Sequence, residues 1–163
     1  MRDIGVGVIS LGWMGRLHST SYLAAPLRYS DLGVRTRLVH AADPVPEARE
    51  YAAEQLGFAR ASADYRELLA DPEVDVVSIC SPNFLHKEIA LAAAAAGKPF
   101  WIEKPMGVSA DESADIARAA AAAGVVTSVG FNYRHAPAVA RARQLIRDGA
   151  LGRITNIRVW MIA

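Results

Sequence analysis

The chain has 163 residues, of which 52% are hydrophobic and 21% charged, and its formal net charge is +1. This composition is typical of a globular domain with a hydrophobic core and excludes a disordered chain. The near-neutral charge and the lack of a basic run argue against a nucleic-acid surface, and no apolar stretch reaches the ~20 residues that span a bilayer. Cys80 is the single cysteine, so no internal disulfide forms, and the chain enters a strand pattern directly. We therefore expect a cytoplasmic location.

Short β-rich runs alternate with longer helical runs, which predicts an α/β fold with a Rossmann-type, doubly wound parallel sheet. The predicted strands are residues 4–9, 34–42, a short one at 58–61, 74–80, 100–103 and 125–130. The predicted helices are residues 14–25 (closed by Pro26), 46–57, 65–70 (capped by Asp64), 84–96, 109–124 (a capping box of Ser109 and Glu112) and 137–148. Residues 154–162 alternate again and predict a strand of a new element.

A glycine-containing turn follows the first predicted strand and opens the first predicted helix. Residues 10–15 have the sequence Ser-Leu-Gly-Trp-Met-Gly. Glycines allow a pyrophosphate to approach the backbone, and a helix N-terminus favours its negative charge, so the turn predicts dinucleotide binding. Ser10 stands where the usual pattern has its first glycine, and a plain strand–helix turn is the alternative interpretation.

Asp43 follows the second predicted strand. A carboxylate at this position accepts hydrogen bonds from the adenosine ribose hydroxyls and repels a 2′-phosphate, which favours NAD over NADP. Two features leave this preference open. Asp43 precedes Pro44 and is also suited to capping the next helix, and Arg49, one helical turn further on, is placed to soften the repulsion of a phosphate.

The tripeptide Glu103-Lys104-Pro105 ends a short apolar run. Charges are rare in strand cores, so a carboxylate and an ammonium at a strand tip indicate either a functional site or a solvated ion pair. Proline extends the backbone of Lys104, and a partly buried lysine held in this way is suited to exchange a proton. Adjacent strand residues face opposite sides, so Glu103 should point away from Lys104. We also predict a cis Lys104–Pro105 bond.

Five sequence blocks together resemble the glucose–fructose oxidoreductase/inositol dehydrogenase (Gfo/Idh/MocA) family of nicotinamide-dependent oxidoreductases. They are the turn ending in Gly15 with His18 after it, Ser-Pro-Asn-Phe-Leu-His at 81–86, Ala-Gly-Lys-Pro at 96–99 leading into Glu-Lys-Pro at 103–105, Gly-Phe-Asn-Tyr-Arg at 130–134, and Gly-Ala-Leu-Gly-Arg-Ile at 149–154. Their order and spacing match the family's and cover nearly the whole chain. The resemblance implies hydride transfer between NAD or NADP and a hydroxyl-bearing carbon of a sugar, cyclic polyol or nucleotide sugar.

The resemblance also implies roles for individual residues. Lys104 would be the catalytic lysine, bonded to the substrate hydroxyl or carbonyl, and Arg134 would lie at the cleft between two domains. The implied cofactor-binding residues, with Asp43, are Leu11, Gly12, Trp13 and Met14 along the pyrophosphate, Gly15 in the same turn, Ser81, Asn83 and His86 near the nicotinamide half, Glu103 beside the nicotinamide ribose, and Asn132 at the cleft.

Several of these residues keep a structural alternative. Trp13 is either a lid over the cofactor or a surface aromatic, and His86 either contacts the cofactor or caps its helix. Arg134 is alternatively an ion-pair partner. His18 is expected to pack or to form hydrogen bonds rather than to act in catalysis, and Cys80 to be a small buried apolar residue.

Residues 1–132 are predicted to form the dinucleotide-binding domain, and residues 133–163 a linker helix and the first strand of a truncated α+β domain. In the family, that second domain supplies a catalytic Asp and His four residues apart, and the sheet through which homo-oligomers form. This chain has no such pair, so we expect it to be the cofactor-binding part of a longer protein and inactive alone. The alternative is a non-catalytic NAD-binding sensor or scaffold. No metal, nucleic acid or membrane is expected as a partner.

Overall fold

A computed structural model of the chain describes residues 2–160. The chain divides into two compact units, Met1–Gly130 and Phe131–Ala163. This division lies two residues before the boundary that the sequence predicts. None of the helices within residues 2–160 has the length and apolar character needed to cross a membrane.

The first unit is built on a six-stranded sheet with the strand order β3-β2-β1-β4-β5-β6. The strands are β1 (Arg2–Ile9), β2 (Val34–Ala42), β3 (Arg60–Ser62), β4 (Val76–Ile79), β5 (Phe100–Ile102) and β6 (Thr127–Val129). Each neighbouring pair is parallel. The order runs outward from β1 in one direction and then from β4 in the other, which confirms the doubly wound Rossmann-type sheet.

Helices connect successive strands, as the alternating pattern predicts. They are α1 (Trp13–Arg28), α2 (Pro46–Tyr51), α3 (Tyr65–Ala70), α4 (His86–Ala95) and α5 (Ala110–Ala123). A π-helical turn at Ala52–Leu56 prolongs α2, and 3-10 turns at Ser30–Leu32 and Asn83–Leu85 precede β2 and α4. The two cap residues are those predicted: Asp64 accepts the N–H of Arg66, and Ser109 accepts the N–H of Glu112. The predicted capping box is only half formed, because the Glu112 carboxylate accepts the N–H of Val108 instead of that of Ser109.

Buried apolar side chains form two clusters, as expected for a sheet covered on both faces. One cluster packs β4 and β5 against α3, α4 and α5, with Ile79, Ile102 and Ile116 among its fully buried members. The other packs β1 and β2 against α2, with Val6 and Val8 among its fully buried members. The strands are therefore held rigidly, and their carboxyl ends form a stable platform for side chains.

Pro26 does not close the first helix, contrary to the prediction, because α1 continues to Arg28. A proline inside a helix has no N–H for the carbonyl one turn earlier, here that of Tyr22. The hydroxyl of Thr36 on β2 donates to this carbonyl oxygen at 2.5 Å. A bond from a neighbouring strand therefore replaces the missing helical bond, and the helix tolerates the proline.

The second unit contains a 3-10 turn at Asn132–His135 and the helix α6 (Pro137–Arg147), which has no buried residue. Residues 154–160 form no strand, contrary to the prediction, and residues 161 and 162 lie outside the described part of the chain. A strand needs a hydrogen-bonding neighbour. Val159 and Trp160 are 84% and 83% exposed, so the alternating apolar residues of this segment do not pack against a sheet.

Candidate functional site

The carboxyl ends of the strands form a cleft where the strand order reverses. β1 pairs with β2 on one side and with β4 on the other, and ligands of doubly wound sheets bind at such a switch point. A cavity of about 660 Å³ opens there. It is lined mainly by residues 9–12, 42–45, 63–66 and 81–82, which lie at the ends of β1, β2, β3 and β4. Its volume is in the range of small-molecule binding sites.

The two glycines of the first turn have different roles. A Cβ on Gly15 would lie 1.9 Å from the carbonyl oxygen of Ser10, so only glycine lets α1 pack this closely against the turn. A Cβ on Gly12 would meet no heavy atom within 4 Å. Gly12 therefore leaves open space at the N-terminus of α1, where an anion is favoured. Ser10 has a φ of +69°, the left-handed conformation that a glycine adopts without strain.

Only two of the four residues predicted along the pyrophosphate line the cavity, namely Leu11 and Gly12. The side chain of Leu11 is 1% exposed and belongs to the core beside β1. Trp13 is 79% exposed, Met14 is half-buried, and Gly15 is buried at the packing contact with Ser10. The predicted contacts of these residues with a cofactor stay predictions.

The carboxylate of Asp43 is buried and joins the ends of two strands. Oδ2 accepts the N–H of Leu11 at 2.7 Å, and Oδ1 accepts the N–H of Val45 at 2.9 Å. The side chain is 6% exposed and lines the cavity. Arg49 donates to the carbonyl oxygens of Asp43 and Pro44, at 2.8 and 2.9 Å, so its guanidinium is engaged by the main chain of the loop.

His86 ties the end of β4 to the strand tip after β5. Its ring is 1% exposed, with Nε2 2.9 Å from the carbonyl oxygen of Ser81 and Nδ1 2.9 Å from that of Pro105. Asn83 donates to the same Pro105 oxygen at 2.7 Å. These two side chains hold the tip in place. Ser81 itself lines the cavity, and its buried hydroxyl finds no hydrogen-bond partner within residues 2–160.

Lys104 is exposed, whereas a partly buried ammonium was expected. β5 ends at Ile102, so Lys104 lies beyond the last ladder bond, where the chain leaves the sheet. The Lys104–Pro105 bond is cis, as predicted. The carboxylate of Glu103 accepts the backbone N–H of Lys104 at 3.2 Å, and no ion pair joins the two side chains within residues 2–160. The ammonium is therefore free to meet a ligand.

A directed chain of hydrogen bonds leads to the Glu103 carboxylate. His18 lies with Nε2 3.1 Å from Oε1 of Glu103 and with Nδ1 2.8 Å from the hydroxyl of Ser78. An ionised carboxylate only accepts, so Nε2 carries the proton and Nδ1 accepts from Ser78. Tyr22 lies 3.2 Å from the same hydroxyl and completes the chain as its donor. His18 thus forms hydrogen bonds, as expected.

Burial governs the titration of the groups around Glu103. It lowers the pKa of His18 below the ordinary value of 6.5, although the Glu103 carboxylate acts in the opposite direction. Burial, followed by the charge of Glu103, raises the pKa of the Cys80 thiol to about 12. His18 is therefore neutral at physiological pH and Cys80 is an inert thiol. Within residues 2–160, no cluster of His, Cys, Asp and Glu side chains is arranged to hold a metal ion.

The sequence profile of an oxidoreductase family with an NAD-binding Rossmann fold, Gfo/Idh/MocA, matches residues 4–131. The chain belongs to this family. Among curated relatives, levoglucosan dehydrogenase of Pseudarthrobacter phenanthrenivorans is 41% identical over 97% of this chain and 40% of its own length. The scyllo-inositol 2-dehydrogenase (NAD(+)) of Bacillus subtilis is 32% identical over 93% of this chain and 42% of its own length. The chain therefore spans about two fifths of these relatives.

Solved structures of the family share the fold. Levoglucosan dehydrogenase in complex with NADH and levoglucosan superposes with a TM-score of 0.88 at 40% identity, over 94% of this chain and 41% of that one. The scyllo-inositol dehydrogenase of Lactobacillus casei with bound NAD(H) and scyllo-inositol gives 0.84 at 26% identity, over 94% and 44%. The first of these structures holds NADH and levoglucosan, and the second holds NAD(H) and scyllo-inositol.

Asn132 and Arg134 lie in the second unit, within the 3-10 turn Asn132–His135. Both are exposed, and the side-chain oxygen of Asn132 accepts the N–H of Tyr133 at 3.0 Å. Their roles at a domain cleft stay predictions.

Sequence reasoning missed one wall of the cavity, residues 63–66, and also Arg16. Arg16 donates to the Leu11 carbonyl at 3.0 Å and stacks over the ring of Tyr51 at 4.1 Å. The sequence does indicate this wall, because Asp64 is a predicted helix cap shortly after the third predicted strand. A helix that starts directly after a strand places its first residues at the carboxyl edge of the sheet, where the other site residues were sought.

Proposed function

We propose that this chain is the cofactor-binding part of an NAD(P)-dependent oxidoreductase that transfers a hydride between nicotinamide and a hydroxyl-bearing carbon. The observation that carries the proposal is the cavity at the switch point, with the Asp43 carboxylate fixed inside it. Two further features fit a bound dinucleotide. Gly12 leaves space for a pyrophosphate beside the backbone, and Ser81 offers a hydroxyl that the described residues do not use.

Three groups would hold the cofactor. The N-terminus of α1 at Gly12 would face the pyrophosphate, Asp43 the adenosine ribose and Ser81 the middle of the dinucleotide. Each carboxylate oxygen of Asp43 receives one backbone N–H and has capacity for a ribose hydroxyl. The same charge repels a 2′-phosphate, which supports NAD over NADP. When bound, the cofactor supplies the hydride acceptor or donor.

Lys104 would bind the substrate oxygen and exchange its proton. Its exposed ammonium is a donor on a short tip, and that tip is anchored from both sides. Glu103 accepts its backbone N–H, while Asn83 and His86 bind the carbonyl oxygen of Pro105. A proton donor fixed in this way needs little reorganisation to meet a substrate oxygen.

The substrate class that we propose is a sugar, a cyclic polyol or a nucleotide sugar. It is supported by the names of the relatives, which act on levoglucosan and on inositols. We extend the proposal to a complete protein that forms homo-oligomers through a second domain, since the relatives are about two and a half times as long. A cytoplasmic location is supported by the single, unreactive thiol of Cys80.

Calorimetric titration of the 163-residue chain with NAD, NADP and ATP tests the first part of this function. We expect saturable binding of NAD, weaker binding of NADP, and no binding of ATP at the same concentration. A Gly12→Val variant places a branched side chain in the open space and should lose NAD binding while its thermal unfolding is unchanged. Absence of NAD binding to the parent chain contradicts the proposal.

Substitution of Lys104 in the complete protein tests the second part. Lys104→Ala should lower turnover by about 10²- to 10⁴-fold, with little change in the Kd for NAD. Lys87→Ala, which removes a half-buried lysine paired with Asp115, is the matched control and should leave both quantities unchanged. NAD binding without turnover on any polyol or sugar would favour the sensor alternative.

A further inference from the structure

A buried polar cluster at the end of β2 adjoins the cavity wall formed by residues 63–66. Its centre is His40, which is 6% exposed. Nδ1 lies 3.0 Å from Oδ2 of Asp71, and Nε2 lies 3.0 Å from the hydroxyl of Ser62. The same Ser62 hydroxyl donates to the carbonyl oxygen of Asp64 at 2.9 Å. Residues from three separate segments, at positions 40, 62–64 and 71, therefore form one continuous series of hydrogen bonds.

The protons available on Ser62 and His40 decide which of these hydrogen bonds can form at the same time. Asp71 is ionised: burial opposes its charge, but hydrogen bonds from Arg60, the Glu73 N–H and His40 hold its pKa at about 2. Nδ1 of His40 must therefore carry a proton. Ser62 has one proton. If the Ser62 hydroxyl donates to the Asp64 carbonyl, Nε2 of His40 must be protonated as well, so that it can donate to Ser62. If His40 is neutral, Nε2 accepts from Ser62, and the Asp64 carbonyl loses its donor.

Ser62 connects these hydrogen bonds to the cavity. Its own carbonyl oxygen accepts the N–H of Asp43 at 3.0 Å, which positions the carboxylate proposed to bind the ribose. Asp64 caps α3 by accepting the N–H of Arg66 at 2.9 Å. Both Asp64 and Arg66 line the cavity. A change in the donor direction of Ser62 therefore acts directly on one wall of the site.

We propose that His40 is a positioning residue through which protonation tightens the cofactor cavity. Protonated His40 leaves the Ser62 proton for the Asp64 carbonyl and fixes residues 63–66; neutral His40 takes that proton and releases them. The inference rests on the proposed function only in naming NAD as the ligand, because the donor exchange occurs without it.

Charges on every neighbouring element act on His40. The Asp71 carboxylate after α3 attracts an imidazolium, and the guanidinium of Arg60 on β3, which binds the same carboxylate oxygen, repels it. Glu73 lies 3.4 Å from Arg60 and offsets part of that repulsion. Lys98, before β5, donates to the backbone carbonyls of Asp71 and Val74 and adds positive charge. Asp64 faces the cluster with its carbonyl, while its side chain caps α3.

Nuclear magnetic resonance of the ¹⁵N-labelled chain between about pH 6.0 and about pH 8.5 tests the donor exchange without any ligand. Nδ1 of His40 should stay protonated throughout, Nε2 should lose its proton as the pH rises, and the Tyr65 amide, which follows the Asp64 carbonyl, should shift with the same midpoint. The matched variants are Ser62→Thr, which keeps a hydroxyl, and Ser62→Ala, which removes it. The shift of Tyr65 should persist in the first and vanish in the second.

Calorimetry with NAD over the same pH range tests the effect on the site. Loss of one hydrogen bond predicts a Kd about three- to tenfold higher at the alkaline end in the parent chain and in Ser62→Thr. Ser62→Ala should bind weakly at every pH. A Tyr65 amide that ignores pH, or that titrates equally in Ser62→Ala, overturns the inference. Failure to bind NAD while the Tyr65 shift follows His40 contradicts the proposed function and leaves the exchange supported.

Discussion

Nε2 of His18 lies 3.1 Å from Oε1 of Glu103, although 85 positions separate the two residues in the sequence. Oε2 of the same carboxylate holds the backbone N–H of Lys104. Glu103 is thus oriented from α1 on one side and fixes the strand tip on the other. Gly130 leaves room for it, since a Cβ there would lie 2.6 Å from Oε1. The tip that carries Lys104 therefore depends on a side chain in the first helix.

Removal of the Ser78 hydroxyl should destabilise the first unit. Ser78 is fully buried, donates to His18 and accepts from Tyr22. Ser78→Ala leaves two partly buried groups, on His18 and Tyr22, without this partner, which predicts a loss of about 1–3 kcal/mol in the free energy of unfolding. Urea denaturation monitored by tryptophan fluorescence measures it. Ser128→Ala, on an exposed position of β6, is the control, and an equal effect of both variants would contradict the explanation.

The partly buried His18 should make the chain less stable in mild acid. Burial lowers its pKa in the folded state below the 6.5 of the unfolded state. Between these two values the unfolded chain binds more protons, so the stabilising contribution is complete above about pH 6.5 and is lost as the pH falls through the folded value. The free energy of unfolding should therefore fall between about pH 7 and about pH 5. His18→Gln should flatten this part of the profile, and a steeper profile would refute the assignment.

Gly12 and Gly15 should respond differently to alanine. A Cβ on Gly15 clashes with the Ser10 carbonyl at 1.9 Å, whereas one on Gly12 meets open space. Gly15→Ala should lower the free energy of unfolding by about 1–3 kcal/mol or more, because the helix must move away from the strand. Gly12→Ala should leave stability within about 0.5 kcal/mol. Thermal unfolding of both variants side by side checks this, and similar midpoints would contradict the assigned roles.

Much of the fold can be predicted from the sequence because short runs of adjacent residues determine the ends of many strands and helices. β2 occupies residues 34–42 in the prediction and in the structure, since its apolar run is bounded by a glycine and an aspartate. Asp64 and Ser109 cap helices as their spacing predicts. Such signals are properties of a few adjacent residues, and packing does not override them here.

The rest depends on contacts that no local pattern contains. Pro26 stays inside α1, where the hydroxyl of Thr36 on the next strand replaces the missing donor. His86 carries the motif of a ligand contact, yet its ring is occupied by two backbone carbonyls. In both cases the deciding partner comes from another element, so sequence reasoning finds the right neighbourhood and misses the bond.

Ser10→Gly should stabilise the chain. Ser10 holds a φ of +69°, a conformation that costs a residue with a Cβ about 1–2 kcal/mol, and glycine adopts it freely. The gain is reduced by the larger entropy of glycine in the unfolded chain, so we expect a net increase of about 0.5–1 kcal/mol. Urea denaturation measures it, with Ser113→Gly in the first turns of α5 as a control that should destabilise. A loss of stability in Ser10→Gly would show that the serine side chain has a further role.

Asp43→Asn should weaken NAD binding without a compensating gain for NADP. The carboxylate accepts from the N–H of Leu11 with one oxygen and from the N–H of Val45 with the other. An asparagine has a single acceptor oxygen, so its NH₂ group must face one of these donors and the turn between β1 and α1 shifts. One unsatisfied buried donor predicts an increase of about ten- to hundredfold in the Kd for NAD. Calorimetry with both dinucleotides checks this, with the exposed Glu47→Gln as control. If Asp43 served only to repel a 2′-phosphate, the variant would bind NADP more tightly and keep its thermal stability, and that result would contradict its role as a clamp on the turn.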